Sequence, residues 1–416
     1  MKNNQIHIIG GGIIGLCSAW YLRQEGFDVT IIDKTDLSDG CSHGNAGMIV
    51  PSHFVPLAVP GVISKGIRWM FNPKSPFYIK PRLNADLMQW LWRFYQSCTL
   101  EKAEKSMPIL LNFNQWSLAL YEEFSKNKAF DFGFEKKGLL MLYKDKKAAA
   151  EEKEVAEKAH ELGLNPQILS QSAVQALEKN IDLDILGGIY YQEDGHLYPN
   201  LFIKQLIEAL KKQGVSFLLG NAVTGFQTDK NKITAIELSN GQQVKTKKIV
   251  LASGSWSAKI LKQLGVKILL QDGKGYSITL KNPRIKPSIP TILTEAKVAV
   301  TPMGNDLRIG GTLEISQLSP KINAARLAGI LESMPKYYPQ LKIKTPPLKE
   351  VWHGFRPCTP DGLPHIGKAK KYNNLTIATG HAMMGMSLGA ATGKLVSEII
   401  TDQKTTISTD LFTPER

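Results

Sequence analysis

Three glycines and one carboxylate near the amino terminus have the types and spacing to hold a phosphorylated nucleotide. Gly10-Gly11-Gly12-Ile13-Ile14-Gly15 follows the apolar run Ile6-His7-Ile8-Ile9, and Asp33 stands 18 residues after Gly15. Gly10 permits a tight turn out of a strand. Gly12 lets a pyrophosphate approach backbone amides at the positive end of a helix whose first turn carries Ile13 and Ile14, and Gly15 lets helix and strand pack closely. A carboxylate at Asp33 can accept hydrogen bonds from a ribose. A lone G-x-G-x-x-G is weak evidence, but this one has the strand before it, the helix after it and the acid beyond.

The pattern alone does not separate FAD from NAD. A second glycine segment near the other end, Gly380-His381-Ala382-Met383-Met384-Gly385, leads into a small-residue helix from Met386. A cofactor gripped from both termini is the usual arrangement for a flavin and unusual for a nicotinamide. In between, Ile249-Val250-Leu251-Ala252-Ser253-Gly254 reads as a buried strand running into small residues, which would let backbone pass close to a dinucleotide; an ordinary strand-to-helix turn fits it equally. The loop Cys41-Ser42-His43-Gly44-Asn45-Ala46-Gly47-Met48-Ile49 offers amides and hydroxyls with little bulk. Taken alone it reads first as a polar surface turn, and second as a loop that can lie along a flat ring.

The elements that must position these residues follow from periodicity. Ile6 to Ile9 and Val29 to Asp33 read as strands flanking a helix over 14–25, closed by Gly26. Residues 34–60 read as loop, 84–127 as a long helical stretch, 138–143 as a strand and 147–163 as an exposed helix. A helix over 201–213 precedes strands at 215–219, 233–238 and 243–252, the last two joined by an Asn240-Gly241 turn. Strands at 276–280, 298–302 and 307–309 suggest a second, mostly antiparallel sheet. The strand 374–378 and a helix over 386–400 close the chain.

At 416 residues the chain exceeds what one core supports, so two domains are expected. Hydrophobic content of 43% and charged content of 21% are those of a globular protein. The net charge of +14 comes from scattered lysines, and no nucleic-acid-binding motif accompanies it, so nucleic acid is not an expected partner. Cys17, Cys41, Cys98 and Cys358 are far apart, without the C-x-x-C spacing of a metal site. They read as reduced thiols of a cytoplasmic protein. The amino terminus enters a strand too soon for a signal peptide, and no apolar run reaches the ~20 residues of a membrane span.

The segment Val351-Trp352-His353-Gly354-Phe355-Arg356-Pro357-Cys358-Thr359-Pro360-Asp361-Gly362-Leu363-Pro364-His365-Ile366-Gly367 resembles the W-x-G-x-R-P-x-T-P-D-G-x-P-x-x-G signature of the D-amino-acid oxidase superfamily of FAD-dependent oxidoreductases. Within it the chain looks most like the bacterial D-amino-acid dehydrogenase small-subunit group. The likeness runs nearly end to end, through Ser18-Ala19-Trp20-Tyr21-Leu22, Asn45-Ala46-Gly47, Lys274-Gly275-Tyr276-Ser277 and Gly380-His381. It implies that the first glycine run and Asp33 hold the ADP half of FAD, with Ser42 and Asn45-Ala46-Gly47 beside the flavin. It further implies that Val223 meets the adenine, that Ala252 and Gly254 lie by the pyrophosphate, and that the helix after Gly385 and Met386 points its amino end at the flavin pyrimidine, where its dipole would stabilise negative charge. Arg356 matches the substrate-carboxylate anchor, a task its planar fork suits. Tyr276 would bond the same carboxylate or the amine, and Lys274 would lie near the flavin N5 edge, though a core tyrosine and a surface lysine remain open. Met383 and Met384 stand where related oxidases carry a second basic residue.

The expected fold is thus α/β: a glutathione-reductase-like FAD-binding (Rossmann-type) domain formed by residues 1–60, 148–266 and 355–416, with an inserted α+β antiparallel-sheet substrate domain of residues 61–147 and 267–354. The expected reaction is oxidative deamination of a D-amino acid, or of a cyclic imino acid such as D-proline or hydroxy-D-proline, with hydride passing from Cα to flavin N5 and electrons going on to a quinone or other acceptor. An oxygen-using oxidase of glycine or sarcosine, a tRNA-modifying oxidoreductase and a flavin-carrying subunit without catalysis stay open as alternatives. Residues 65–93 mix Trp69, Phe71, Phe77, Tyr78, Trp90 and Trp92 with Lys65, Arg68, Lys74, Lys80 and Arg93. Burial of these aromatics between the domains is the first reading, and contact with the inner face of the plasma membrane is the second.

Overall fold

The computed structural model describes residues 4–82 and 84–416. The strand Gln5–Ile9 lies at the centre of a six-stranded sheet whose strand order is 365–368, 375–379, 248–251, 5–9, 28–32, 216–218. All neighbours are parallel except the 365–368 edge. Its central strands are buried on both faces, which is why Ile6, Ile8 and Ile31 show no exposed surface. The helix Ile13–Gln24 packs on one face against the last long helix, Gly389–Ile400. That contact needs glycine: a Cβ on Gly393 would lie 2.4 Å from the Cys17 carbonyl carbon.

The second sheet has nine strands and a mostly antiparallel order: 352–358, 271–280, 306–316, 298–303, 291–293, 139–143, 187–191, 167–170, with 77–79 alongside 306–316. The helix Ala324–Tyr337 packs behind it, over Ile330 and Met334. A three-stranded antiparallel sheet, 223–229, 232–238 and 243–245, forms a separate flap.

The sheets divide the chain differently from the expected boundaries at two places. Residues 148–191 were expected on the nucleotide side. The strands Gln167–Ser170 and Gly187–Tyr191 instead extend the nine-stranded sheet, and the helix Lys146–Glu161 packs on them. The strand Trp352–Cys358 belongs wholly to that sheet, pairing with 271–280, so the expected boundary at 355 cuts through a strand. Its Gly354 and Pro357 hide the alternation that would have marked it. The run over 84–127 is two helices, Ala85–Ser97 and Leu100–Lys126, because Thr99 starts a new one by capping the Lys102 amide. The expected strand over 243–252 breaks at 246–247, its halves serving different sheets.

A candidate FAD and substrate cavity

The turn after the first strand is built from close approaches. Gly10 has φ +110°, and a Cβ there would lie 2.5 Å from the Ala252 carbonyl oxygen. A Cβ on Gly15 would lie 1.9 Å from the Gly10 carbonyl oxygen. Gly12 differs: the nearest atom to its would-be Cβ is Ser42 Oγ at 3.5 Å, so the space it leaves opens on the cavity. Gly12 caps the helix with no side chain bonded to it. The Gly11 amide donates to Asp33 Oδ2 at 2.7 Å and the Ile13 amide to Ser42 Oγ at 3.1 Å. Asp33 Oδ1 accepts from the Thr35 amide and hydroxyl, each at 2.8 Å, which fixes its carboxylate at the rim.

This turn floors one end of a cavity of about 1750 Å³ that runs between the two large sheets. Pockets for drug-sized ligands span roughly 300–1,000 Å³, so this one has room for a dinucleotide and a second small molecule. Gly10, Gly12, Ile13, Ile14, Asp33, Ser42, Asn45, Ala46, Val223, Ala252, Gly254, His381, Gly385 and Met386 all line it, as do Arg356 and Tyr276. Gly15, Gly47, Gly380 and Lys274 do not. The first three act behind the wall: Gly47 turns the loop at φ +72°, and Gly380, at φ +85°, packs on Thr359. His381 bonds Thr392 Oγ1 at 3.0 Å, and burial pushes its pKa down to about 3, so it is a neutral tie to the last helix.

The loop 41–49 is held by a residue the sequence did not single out. Arg308 Nη1 donates to the carbonyls of His43 at 2.7 Å and Asn45 at 2.9 Å, while its Nε donates to Thr279 Oγ1. Trp352 fills the space left by two glycines. A Cβ on Gly44 would fall 2.0 Å from its ring and one on Gly354 2.1 Å from it. Trp352 lines the cavity, and its buried Nε1 has no hydrogen-bond partner among the described residues.

Arg356 lies opposite Gly273 in the paired strands, and its guanidinium rests over Gly275. A Cβ at 275 would come within 2.4 Å of Arg356 Nη2. Nη1 donates to the Thr312 carbonyl. Thr312 has φ +69° in mid-strand, strained for a β-branched residue, where a bulge shifts the register between Lys274 and Tyr276. No carboxylate forms an ion pair with Arg356 among the described residues, and burial depresses its pKa.

Tyr276 and Lys274 fall at alternate register positions from Gly273 and Gly275, so their side chains project through the opposite face. The Tyr276 hydroxyl accepts from the Asn323 amide at 3.1 Å and donates to Glu314 at 3.3 Å. Lys274 Nζ donates to the Lys321 carbonyl at 2.7 Å and lies 3.8 Å from Glu314, which in turn lies 3.7 Å from Arg326. The structure therefore does not bring the lysine to the cavity, and it turns the tyrosine hydroxyl toward the helix Ala324–Tyr337. The alternation in a strand, set by the partner register, decides this.

The aromatics of residues 65–93 are not all buried between domains. Trp90 is buried, but Phe71 is 86% exposed and Trp92 60%. Ile67, Met88, Tyr95 and Leu100 are also exposed, so six of the thirteen exposed large apolar residues fall within 67–100. No helix among the described residues is long and apolar enough to cross a membrane.

A parallel nucleotide sheet, a glycine turn with an acid after the second strand, and a cavity roofed by an antiparallel sheet define a dinucleotide-dependent flavoenzyme fold. Among solved structures, glycine oxidase from Geobacillus kaustophilus matches with a TM-score of 0.78 at 21% identity, over 100% of this chain and 99% of that one. L-proline dehydrogenase from P. horikoshii matches at 0.74 and 20%, over 99% and 97%. At the level of sequence, the model of the DAO family, FAD dependent oxidoreductase, matches residues 5–399. The chain belongs to this family, and its cofactor is FAD. A D-amino acid dehydrogenase of Vibrio vulnificus is 30% identical over 406 residues, covering 95% of this chain and 96% of its own. One from Granulibacter bethesdensis is 29% identical over 410 residues, covering 97% of each.

Proposed function

We propose that this chain oxidises a D-amino acid, or a cyclic D-imino acid such as D-proline, at the carbon bearing nitrogen. The observation that carries the reading is Arg356: a guanidinium on the cavity wall with, among the described residues, one carbonyl as partner and no acid. A cation so enclosed costs free energy unless an anion joins it, and its remaining fork suits a carboxylate. Bound FAD supplies the hydride acceptor. The chain's own residues hold the carboxylate, orient Cα toward the floor made by Asn45 and Ala46, and keep the reacting centre between two sheets, where proximity and orientation lower the barrier. The imino acid released would hydrolyse to a 2-oxo acid and ammonia, while a cyclic imine would stay closed. The D configuration rests on the names of the relatives at 29–30% identity.

The same reading extends to the electron acceptor. Ile67, Met88 and Tyr95 are exposed and also line the cavity, so its mouth opens among apolar side chains. Arg68, Lys80 and Arg93 are exposed among them. An apolar rim with cations suits an anionic membrane surface and a quinone drawn from it. The test is anaerobic: purified yellow protein is mixed with D- and L-amino acids, D-proline and glycine, and the flavin band is followed. Bleaching by D-amino or D-imino acids, with re-oxidation by a quinone analogue faster than by air, is the expected result. No bleaching by any of them sinks the proposal.

A further inference from the structure

Behind the cavity wall lies a buried carboxylate connected to it by two side chains, and the proposed reaction as written leaves all three unused. The strand Met48–Ile49 pairs with Gly195–His196, and this short ladder places Asp194 under Ser52. Ser52 Oγ lies 2.5 Å from Asp194 Oδ2, and the Ser52 amide donates to Asp194 Oδ1 at 3.1 Å. On the other side Ser52 Oγ lies 3.1 Å from His53 Nδ1. Asp194 is 1% exposed and Ser52 6%, whereas His53 lines the cavity with Met48 and Val50. The three groups form a single file from cavity to core.

We propose that His53, Ser52 and Asp194 form the relay that removes the ammonium proton of the bound substrate, an inference that rests on the amine-oxidation reading above. An α-ammonium carries no lone pair to assist hydride loss from Cα, so the nitrogen must be neutral before the electrons leave. A hydroxyl has one proton. While Ser52 donates to ionised Asp194, it can only accept from His53 Nδ1–H, which leaves Nε2 as a bare acceptor. The step balances as three proton movements: substrate N–H to His53 Nε2, His53 Nδ1–H to Ser52 Oγ, and Ser52 O–H to Asp194 Oδ2. It ends with a neutral amine, a neutral imidazole of the other tautomer and a protonated Asp194. No electron moves and no other reactant is needed.

The surroundings favour each end state. Burial and the positive Lys297 hold His53 down at about 4, so it passes the proton on rather than keeping it. Burial lifts Asp194 to about 7, against two serine hydrogen bonds that lower it, and Glu193 adds to the rise. Tyr191, which feels the charge of Asp194, stays neutral. Among the described residues, these are the charged and titratable groups that bear on the relay. A sink with that affinity can take the proton near neutral pH and return it later.

The test has two arms. In FAD-free protein at pH 8, nitrogen-15 NMR should find the His53 ring protonated on Nδ1, and an Nε2–H tautomer there overturns the relay whatever the substrate is. In the holoenzyme, His53→Asn should slow anaerobic flavin bleaching about 10²–10⁴-fold at pH 7 and recover about tenfold for each pH unit upward, as free amine replaces ammonium in solution. Asp194→Asn should move the rising limb of the wild-type profile from near pH 7 to higher pH. Should that variant fold poorly, Ser52→Ala breaks the file while keeping the amide bond to Asp194, and should shift the limb the same way. Variants that keep the wild-type profile overturn the proposal. Wild-type flavin that no amino or imino acid bleaches at any pH defeats the reaction itself and leaves the tautomer result standing.

Discussion

Arg356→Met is the most discriminating perturbation of the site, because it should damage binding while sparing the fold. One edge of the guanidinium is committed to the Thr312 carbonyl. The other edge, from Nη2 over Gly275, is the one a carboxylate can grip with two parallel bonds. Breaking such a charged pair costs about 2–5 kcal/mol. At ~1.4 kcal/mol per decade, kcat/KM for an amino acid should fall about 30-fold to 4,000-fold. Methionine keeps much of the apolar stem and leaves no acid stranded, since none of the described residues pairs its carboxylate with Arg356, so thermal stability should hold or rise. The assay compares a D-amino acid with the amine that lacks its carboxylate, both by anaerobic flavin bleaching. The wild-type protein should prefer the acid by the same factor that the substitution costs, and the variant should lose that preference. A variant that still prefers the acid, or one that unfolds at lower temperature, refutes the assignment and makes Arg356 a structural strut.

The remaining predictions separate cofactor space from packing and test the rim and the buried acid. Gly12→Val should lose FAD on gel filtration with little change in the melting temperature of the FAD-free protein, because the added Cβ meets only Ser42 Oγ, at 3.5 Å, and points toward the cavity space. Gly393→Ala should lower that temperature by several degrees without touching the cavity, because its methyl meets the Cys17 backbone at 2.4 Å. Phe71→Glu with Trp92→Glu should abolish sedimentation with anionic phosphatidylglycerol vesicles while leaving flavin bleaching unchanged; equal sedimentation of wild type and variant counts against the membrane rim. Asp194 is protonated more readily folded than unfolded, its pKa rising from 3.8 to about 7. The stability this gives is full below pH ~4 and fades as pH climbs through 7. Asp194→Asn should flatten that slope and be the more stable protein at pH 8, by at most about 4 kcal/mol at ~1.4 kcal/mol per pH unit.

The nucleotide half of the molecule was readable because its signals are local. Strand, glycine turn, helix and acid lie within residues 5–33, and each follows from spacing along one segment. The substrate half was readable only in outline. Which face Tyr276 and Lys274 take depends on their register against 352–358, and the bulge at Thr312 depends on a partner strand some 36 residues away. Neither fact is present in any window of the sequence. Arg308 has the same character: its partners, His43 and Asn45, lie 265 and 263 residues back. His53 carries no signal in the sequence, because it stands apart from any other titratable residue that would mark it, and Asp194 comes 142 residues after Ser52. A lone histidine on an apolar segment gives no sign that a carboxylate will fold beneath its neighbour.

The substrate side is shaped as much by missing side chains as by those present. Gly273, Gly275, Gly310 and Gly311 fall in the two longest strands, which pair with each other, where glycine weakens a sheet. Three of the absences have a beneficiary. Gly273 makes room for Leu313 and Cys358, Gly275 for the Arg356 guanidinium, and Gly311 for Ile330 from the helix behind. The ladder survives because 271–280 is paired on both sides and 306–316 is 11 residues long. Thr312, strained at φ +69°, sits among these glycines and presents its carbonyl to Arg356. A bulge held at that cost, beside four glycines, aims one cation into the cavity. Relaxing it should move the guanidinium before it moves the fold, so Thr312→Gly ought to raise KM for the acid substrate while leaving FAD retention intact, and a variant with unaltered KM would show that the bulge does no aiming.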